Sequence, residues 1–220
     1  MEPERSNAGV VLGKANAALD SVYSATTSER LSAAYAAWAA SYDSETAALG
    51  YLLPFLIAAW VARHVPADEG PLLDAGCGTG LTGPQLKALG YADISGLDLS
   101  QEMLAVAATR NAYGELKQAV LGGPLPWPDG HFRAFFSTGV FTMGHAPASG
   151  LRELVRITRK GGHAIFTVRD QVFESGGFQP LFDELEQGQK WRLAEESPWF
   201  RCYAVADPEA LVKTFVFQAL

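Results

Sequence analysis

One stretch, LLDAGCGTGLTG from Leu72 to Gly83, limits this chain more than any other. An apolar stub ends in an acid, Asp74, and glycines follow at Gly76, Gly78, Gly80 and Gly83. Further on, the segment ISGLDL carries a second acid, Asp98. A strand, a glycine turn, a helix, a second strand and a terminal acid are the parts of a nucleoside-binding βαβ unit. The glycines remove side chains where the backbone turns tightly and approaches a ligand. The following helix offers free N–H groups and a positive dipole end to an anion, either a diphosphate or an amino-acid carboxylate. Asp98 is placed to accept both hydroxyls of a ribose.

The rest of the chain alternates in the same way. The pattern predicts strands over 71–75, 92–99, 116–121, 132–140 and 163–169, with helices over 82–89, 101–112 and 151–158 between them. Ser100 is a good N-cap for the second of these helices, and Gly161-Gly162 closes the third. A helix over 178–190 and strands over 191–196 and 213–220 complete the series. The expected fold is α/β and Rossmann-like: a seven-stranded, mostly parallel sheet with an antiparallel last strand and helices on both faces. Before the first strand the chain is Ala-rich and helical from 28 to 42, and the helical pattern continues to about residue 65 with Pro54 bending or splitting it. The division expected is a mobile or loosely helical segment over 1–25 and one domain over 26–220, with a helical lid over about 26–65.

Composition excludes several classes. The net charge of −7 and scattered Lys and Arg argue against a nucleic-acid footprint. Arg152, Arg156, Arg159 and Lys160 have helical spacing and read as a solvated helix face. The two cysteines, Cys77 and Cys202, suggest neither a disulfide framework nor a zinc site, and the four histidines form no helical ligand pair. The uncharged run 46–62 holds Gly50 and Pro54 and is too short to span a membrane. With no secretory pattern at the N-terminus, a cytoplasmic location is expected. Oligomeric state is not legible.

Two ligand classes compete for the glycine loop. Residues 78–83 also match the dinucleotide pattern GxGxxG, which favours an NAD(P)-dependent oxidoreductase. Tyr113 and Lys117 have the Tyr-x-x-x-Lys spacing of a short-chain dehydrogenase, but Gly114 and the position just before a strand make this a coincidence. The longer run Asp74-x-Gly76-x-Gly78-x-Gly80 resembles the first motif of the class I S-adenosylmethionine-dependent methyltransferases. The resemblance covers residues 35–170. Within the family, YAAWAASYDSETAALGY (35–51) and LPWPDGHF (125–132) are particularly similar to the Williams-Beuren region methyltransferase-like proteins.

This resemblance implies S-adenosylmethionine as methyl donor and a small-molecule acceptor. It implies contact with the methionine portion at Asp74, Gly76, Cys77, Gly78, Thr79 and Gly80, with Thr138 nearby, and ribose binding by Asp98. Leu99, Met103, Val120 and Leu121 would border the adenine, and Tyr42 of the lid would pack near the methionine end. Two positions depart from the family. Leu121 stands where many relatives carry an acid, so backbone groups near Val120 and Leu121 would have to meet the adenine amino group. Arg133 replaces an acid at the entry of the fourth strand, remote from the cleft. These departures leave open a cofactor-binding protein without turnover. His145, just past the fourth strand, is the candidate general base. Tyr35, Arg169, Trp199, Arg201 and Tyr203 are candidates for the acceptor pocket from topology alone.

Overall fold

Side chains alternate between two cores along each central strand. The computed structural model describes residues 4–207 and 209–220. Its strands are β1 (Leu72–Ala75), β2 (Ile94–Asp98), β3 (Glu115–Gln118), β4 (Phe132–Phe141), β5 (Thr158–Arg169), β6 (Trp191–Glu196), β7 (Phe200–Arg201) and β8 (Leu211–Ala219). They form one sheet in the order β3-β2-β1-β4-β5-β8-β6, with the two-residue β7 paired to β8. The first five strands pair in parallel, and β8 is antiparallel to β5 and β6. The expected seven-stranded sheet with a reversed last strand is therefore present, with β7 as an addition.

The helices are α1 (Glu4–Tyr23), α2 (Ser28–Trp38), α3 (Tyr42–Leu49), α4 (Leu53–His64), α5 (Thr82–Ala88), α6 (Gln101–Thr109), α7 (Gly150–Ile157), α8 (Asp170–Ser175) and α9 (Phe178–Gln187). On one face of the sheet Leu73, Phe135, Phe166 and Phe217 pack with Leu154 of α7 and Phe182 of α9. On the other, Leu72, Phe136, Ile165 and Val216 pack with Ile57 and Val61 of α4 and Leu86 of α5. This period of two is why both faces need helices. Each fully buried large apolar side chain contributes about 1.5–3 kcal/mol. The chain reverses its direction of growth between β1 and β4, which opens a crevice at the carboxyl ends of the strands.

The structure corrects three expectations and refines two. The segment 1–25, expected to be mobile or loosely helical, holds helix α1, while residues 1–3 lie outside the described residues. Ala15, Leu19 and Val22 fall on one stripe of α1 and are buried against Trp38, Leu49 and Tyr203. The helical pattern to residue 65 is three helices, split and not bent near Pro54. Gly50 ends α3 in the left-handed conformation, and Pro54 opens α4, where its missing N–H costs nothing. Strand β3 stops at Gln118, so Val120 and Leu121 belong to the loop after it; Ala119 N–H to Asp98 O, at 3.0 Å, is the last rung. Strand β5 starts at Thr158, and Gly161-Gly162 lie within it at a register shift and do not close a helix. The final helix stops at Gln187 and not at residue 190.

Candidate functional site

Asp98 ends β2 at the floor of the crevice and is 8% exposed. Its Oδ2 accepts from the Gly78 N–H at 2.8 Å, and its Oδ1 accepts from the Ser100 N–H at 2.9 Å. Each oxygen thus has one backbone donor and keeps lone-pair capacity for another. Burial raises the carboxyl pKa, and the backbone N–H groups of Ser100 and Gly78 pull it back down. Ser100 meanwhile caps α6, accepting from Met103 N–H at 3.3 Å.

Three adjoining cavities share lining residues here, and Asp98 borders the outer one. The outer one is bordered by Asp98, Leu99, Met103, Ala119, Val120 and Leu121, and reaches Tyr35 and His145. The loop cavity is bordered by Asp74, Gly76, Cys77, Gly78, Thr79 and Thr138. The inner cavity lies under the lid helices, among Tyr23, Trp38, Thr142, Arg169, Cys202 and Tyr203. Tyr42 and Tyr51 border all three, and Gly139 borders the outer and inner ones.

The glycines of the loop do different jobs. At Gly78 (φ +54°) a Cβ would meet nothing within 4 Å, so the missing side chain leaves a cradle open to the crevice. At Gly80 (φ +80°) a Cβ would lie 2.9 Å from the Tyr113 ring and 3.1 Å from Ala107 Cβ. Gly80 is therefore a packing glycine beneath the loop. Tyr113 also donates to Asp74 Oδ2 at 2.8 Å. Burial, against the pull of that hydrogen bond and with a smaller push from the Asp98 charge, raises the Asp74 carboxyl to about 7.

The lid is tied to the loop through one carboxylate. Thr79 Oγ1 donates to Asp43 Oδ1 at 2.6 Å, Arg110 pairs with Asp43, and Arg110 also donates to the Thr79 carbonyl. At the other side Tyr35 Oη lies 2.7 Å from His145 Nε2, and His145 Nδ1 lies 2.6 Å from the Met143 carbonyl. A carbonyl only accepts, so Nδ1 carries the hydrogen and Nε2 accepts from the phenol. Burial lowers the His145 pKa, which suits this neutral tautomer.

Comparison with known proteins agrees with the fold and the loop. Residues 73–166 match the family model described as "Methyltransferase domain". Methyltransferase-like protein 27 of Homo sapiens is 33% identical over 163 residues, covering 71% of this chain and 66% of that protein. Malonyl-[acyl-carrier protein] O-methyltransferase of Serratia marcescens is 31% identical over 164 residues, covering 72% of this chain and 58% of its own length. The chain thus spans somewhat under two thirds of these relatives. Among solved structures, the [4+2]-cyclase SpnF superposes with a TM-score of 0.69 at 16% identity, over 89% of this chain and 97% of that one. A TehB-like S-adenosylmethionine-dependent methyltransferase of Corynebacterium glutamicum gives 0.62 at 19%, over 86% and 99%. The chain belongs to the class I S-adenosylmethionine-dependent methyltransferases.

The residues of this chain fit the cofactor of that family. A buried acid with free lone pairs, a glycine cradle and an apolar slot are groups of the kinds that would suit a ribose, an amino-acid tail and an adenine. Asp74, Gly76, Cys77, Gly78 and Thr79 come together at the loop cavity, while Asp98, Leu99, Met103, Val120 and Leu121 come together at the outer one. Thr138 and Tyr42 stand at both. Gly80 is the exception, set apart by Tyr113. The Cys77 thiol is buried and its pKa is raised by burial, so it acts as a small filler. Tyr113 and Lys117 do not act as a pair: the first serves Asp74, and the second faces Glu115 at 3.0 Å.

Of the acceptor candidates, Tyr35, Arg169 and Tyr203 border the inner cavity. Trp199 and Arg201 do not. In and beside the short strand β7 successive residues point to opposite sides, so Cys202 faces the cavity and Arg201 faces away. Trp199 sits outside, its ring 5.8 Å from Phe173 and 5.2 Å from Lys213 Nζ. His145 borders the outer cavity and not the inner one, and its Nε2 lone pair is engaged by Tyr35, so it is not a free base. Arg133 pairs with Glu69 and donates to Gly161 O at 2.8 Å, at the entry of β4 and away from the cavities.

Sequence reading missed Tyr23, Tyr51, Thr142 and Gly139. Tyr51 covers Gly139, where a Cβ would collide with its hydroxyl. An isolated glycine within an apolar strand pattern was the one signal available for this close approach. No helix among the described residues is long and apolar enough to cross a membrane.

Proposed function

We propose that this chain transfers the methyl group of S-adenosylmethionine to a small-molecule acceptor held in the inner cavity. The observation that carries the reading is a shared wall. Tyr35, Tyr42, Tyr51 and Gly139 border both the outer and the inner cavity, so the two spaces meet at these residues, and transfer needs the methyl and the acceptor atom in direct contact at that junction. The methyltransferase names of the curated relatives support the same reaction class.

When bound, the cofactor supplies a sulfonium, already a good leaving group for in-line displacement. The chain's part is to hold the two partners and exclude water. Asp98 would accept the ribose hydroxyls while Gly78 and Ser100 keep its carboxylate oriented. Leu99, Met103 and Leu121 would enclose the adenine, and Asp74 and the loop backbone would hold the amino-acid end. The lid helices α1 to α3 shield the inner cavity.

No residue of the shared wall is a ready general base. Burial pushes the phenols of Tyr35, Tyr42 and Tyr51 up, so they stay protonated, and His145 is engaged. This suits an acceptor atom that carries no proton to be removed at neutral pH. Methyl-labelled S-adenosylmethionine incubated with the pure chain and a panel of thiols, amines, phenols and carboxylates tests the reading. Label should appear in at least one small acceptor. A response to NAD(H) in place of S-adenosylhomocysteine, or cofactor binding with no transfer across the panel, would overturn it.

A further inference from the structure

Arg169 closes β5 with its side chain 10% exposed, in the wall of the inner cavity. Asp207 accepts from its Nη2 at 3.1 Å, and the Tyr23 ring lies 5.0 Å from its Cζ. Its Nε is buried without a hydrogen-bond partner among the described residues. The same is true of Thr142 Oγ1, in the same cavity wall. These are two orphaned groups of matched character, one an N–H on a cation and one a hydroxyl, meeting an otherwise apolar and aromatic space that includes Leu19, Val22, Trp38 and Leu53.

Leaving a buried donor unmade costs about 1–3 kcal/mol, and more on a charged group. A ligand in that cavity with acceptor atoms would relieve this cost. Asp207 accepts from Nη2 alone and is itself about one-third exposed, so it leaves the Nε–H of the guanidinium unpaired. In a low-dielectric space that cation favours an anion strongly over a neutral acceptor. A carboxylate has two acceptor oxygens, enough for an N–H and an O–H together.

We infer that the inner cavity binds the carboxylate of a small apolar carboxylic acid through Arg169 Nε and Thr142 Oγ1. This deepens the proposed function and rests on reading the inner cavity as the acceptor site. It also accounts for the lack of a base there, because a carboxylate has already lost its proton at neutral pH.

Matched probes test it: acetate, propanoate, benzoate and phenylacetate, each against its neutral amide, titrated calorimetrically into the chain saturated with S-adenosylhomocysteine and into the free chain. The expected result is that at least one carboxylate binds tenfold or more tighter than its amide. Arg169→Gln should abolish that preference, and Thr142→Val should reduce it about threefold. Thr142→Val is nearly isosteric and serves alone if the Arg169 variant does not fold. Equal affinity within every pair, no binding by any probe, or a preference that survives the substitutions overturns the inference. Titration of S-adenosylhomocysteine alone reports the donor site separately. Its binding without a carboxylate preference leaves the proposed function standing and removes only this subsite.

Discussion

The phenol of Tyr35 donates to Nε2 of His145 at 2.7 Å, while the Met143 carbonyl fixes the hydrogen on Nδ1 of the same ring. A lid side chain and a loop at the end of β4 are thereby locked together at the edge of the cofactor cavity. The imidazole should stay neutral to below its ordinary value, because burial lowers its pKa. Its contribution to stability is present above about pH 6.5 and is lost as pH falls. Tyr35→Phe removes the donor to the neutral ring, so the midpoint should rise, with about 1–3 kcal/mol of stability lost. Imidazole nitrogen chemical shifts followed against pH check this; a wild-type midpoint at or above 6.5 would contradict it.

Asp74 and Tyr113 give a second pH effect. With the Asp74 carboxyl raised to about 7, the folded chain holds a proton that the unfolded chain has lost by about pH 5. Stability therefore falls as pH rises from about 4 to about 7 on this group's account. A ligand carrying an ammonium group beside Asp74 favours its ionised form, so binding should release up to one proton below pH 7. Calorimetry of S-adenosylhomocysteine at pH 6 in two buffers of different ionisation enthalpy measures that release. Identical heats in both buffers would mean that Asp74 is already ionised.

Glycines 78 and 80 separate ligand space from packing space. Gly78→Ala adds a Cβ that touches no protein atom within 4 Å but enters the cradle. It should cost only about 1 kcal/mol of stability, from its positive φ, yet weaken S-adenosylhomocysteine at least tenfold. Gly80→Ala drives a Cβ into Tyr113 and Ala107. It should cost about 1–3 kcal/mol through overpacking and backbone strain. Paired thermal melts and titrations distinguish the two, and the reverse pattern would exchange their roles.

Asp43 is the latch between lid and loop. Its side chain is 42% exposed, so Asp43→Asn should cost no more than about 1 kcal/mol of stability. It weakens the bonds to Thr79 and Arg110 that close the lid over the loop. Stopped-flow release of S-adenosylhomocysteine should accelerate severalfold; an unchanged rate would show that α3 does not gate the cavity.

The donor half of the site was legible in the sequence because it is local. Gly78, Asp98 and Ser100 lie within one βαβ unit, where strand, turn and cap geometry fix their places. The inner cavity was legible only in part: Tyr35, Arg169 and Tyr203 were candidates from topology, while Tyr23, Tyr51 and Thr142 come from three distant segments with no shared spacing. Trp199 and Arg201 were misplaced because a two-residue strand decides which neighbours face inward, and two residues carry no pattern. Gly80 looked like a ligand glycine because a positive φ and a close approach select the same residue type, whether a ligand or Tyr113 does the approaching. Helix α1 was read only as mobile or loosely helical because Ala15, Leu19 and Val22 make a weak stripe, stabilised by packing and not by propensity.

The most direct measurement is calorimetric titration of the pure chain and of Asp98→Asn with S-adenosylhomocysteine. The expected result is one molecule bound per chain, with at least thirtyfold weaker binding in the variant, about 2 kcal/mol. Absence of binding to the folded wild-type chain, or equal affinity in the variant, would contradict the assignment of Asp98 and its glycine loop as the cofactor site.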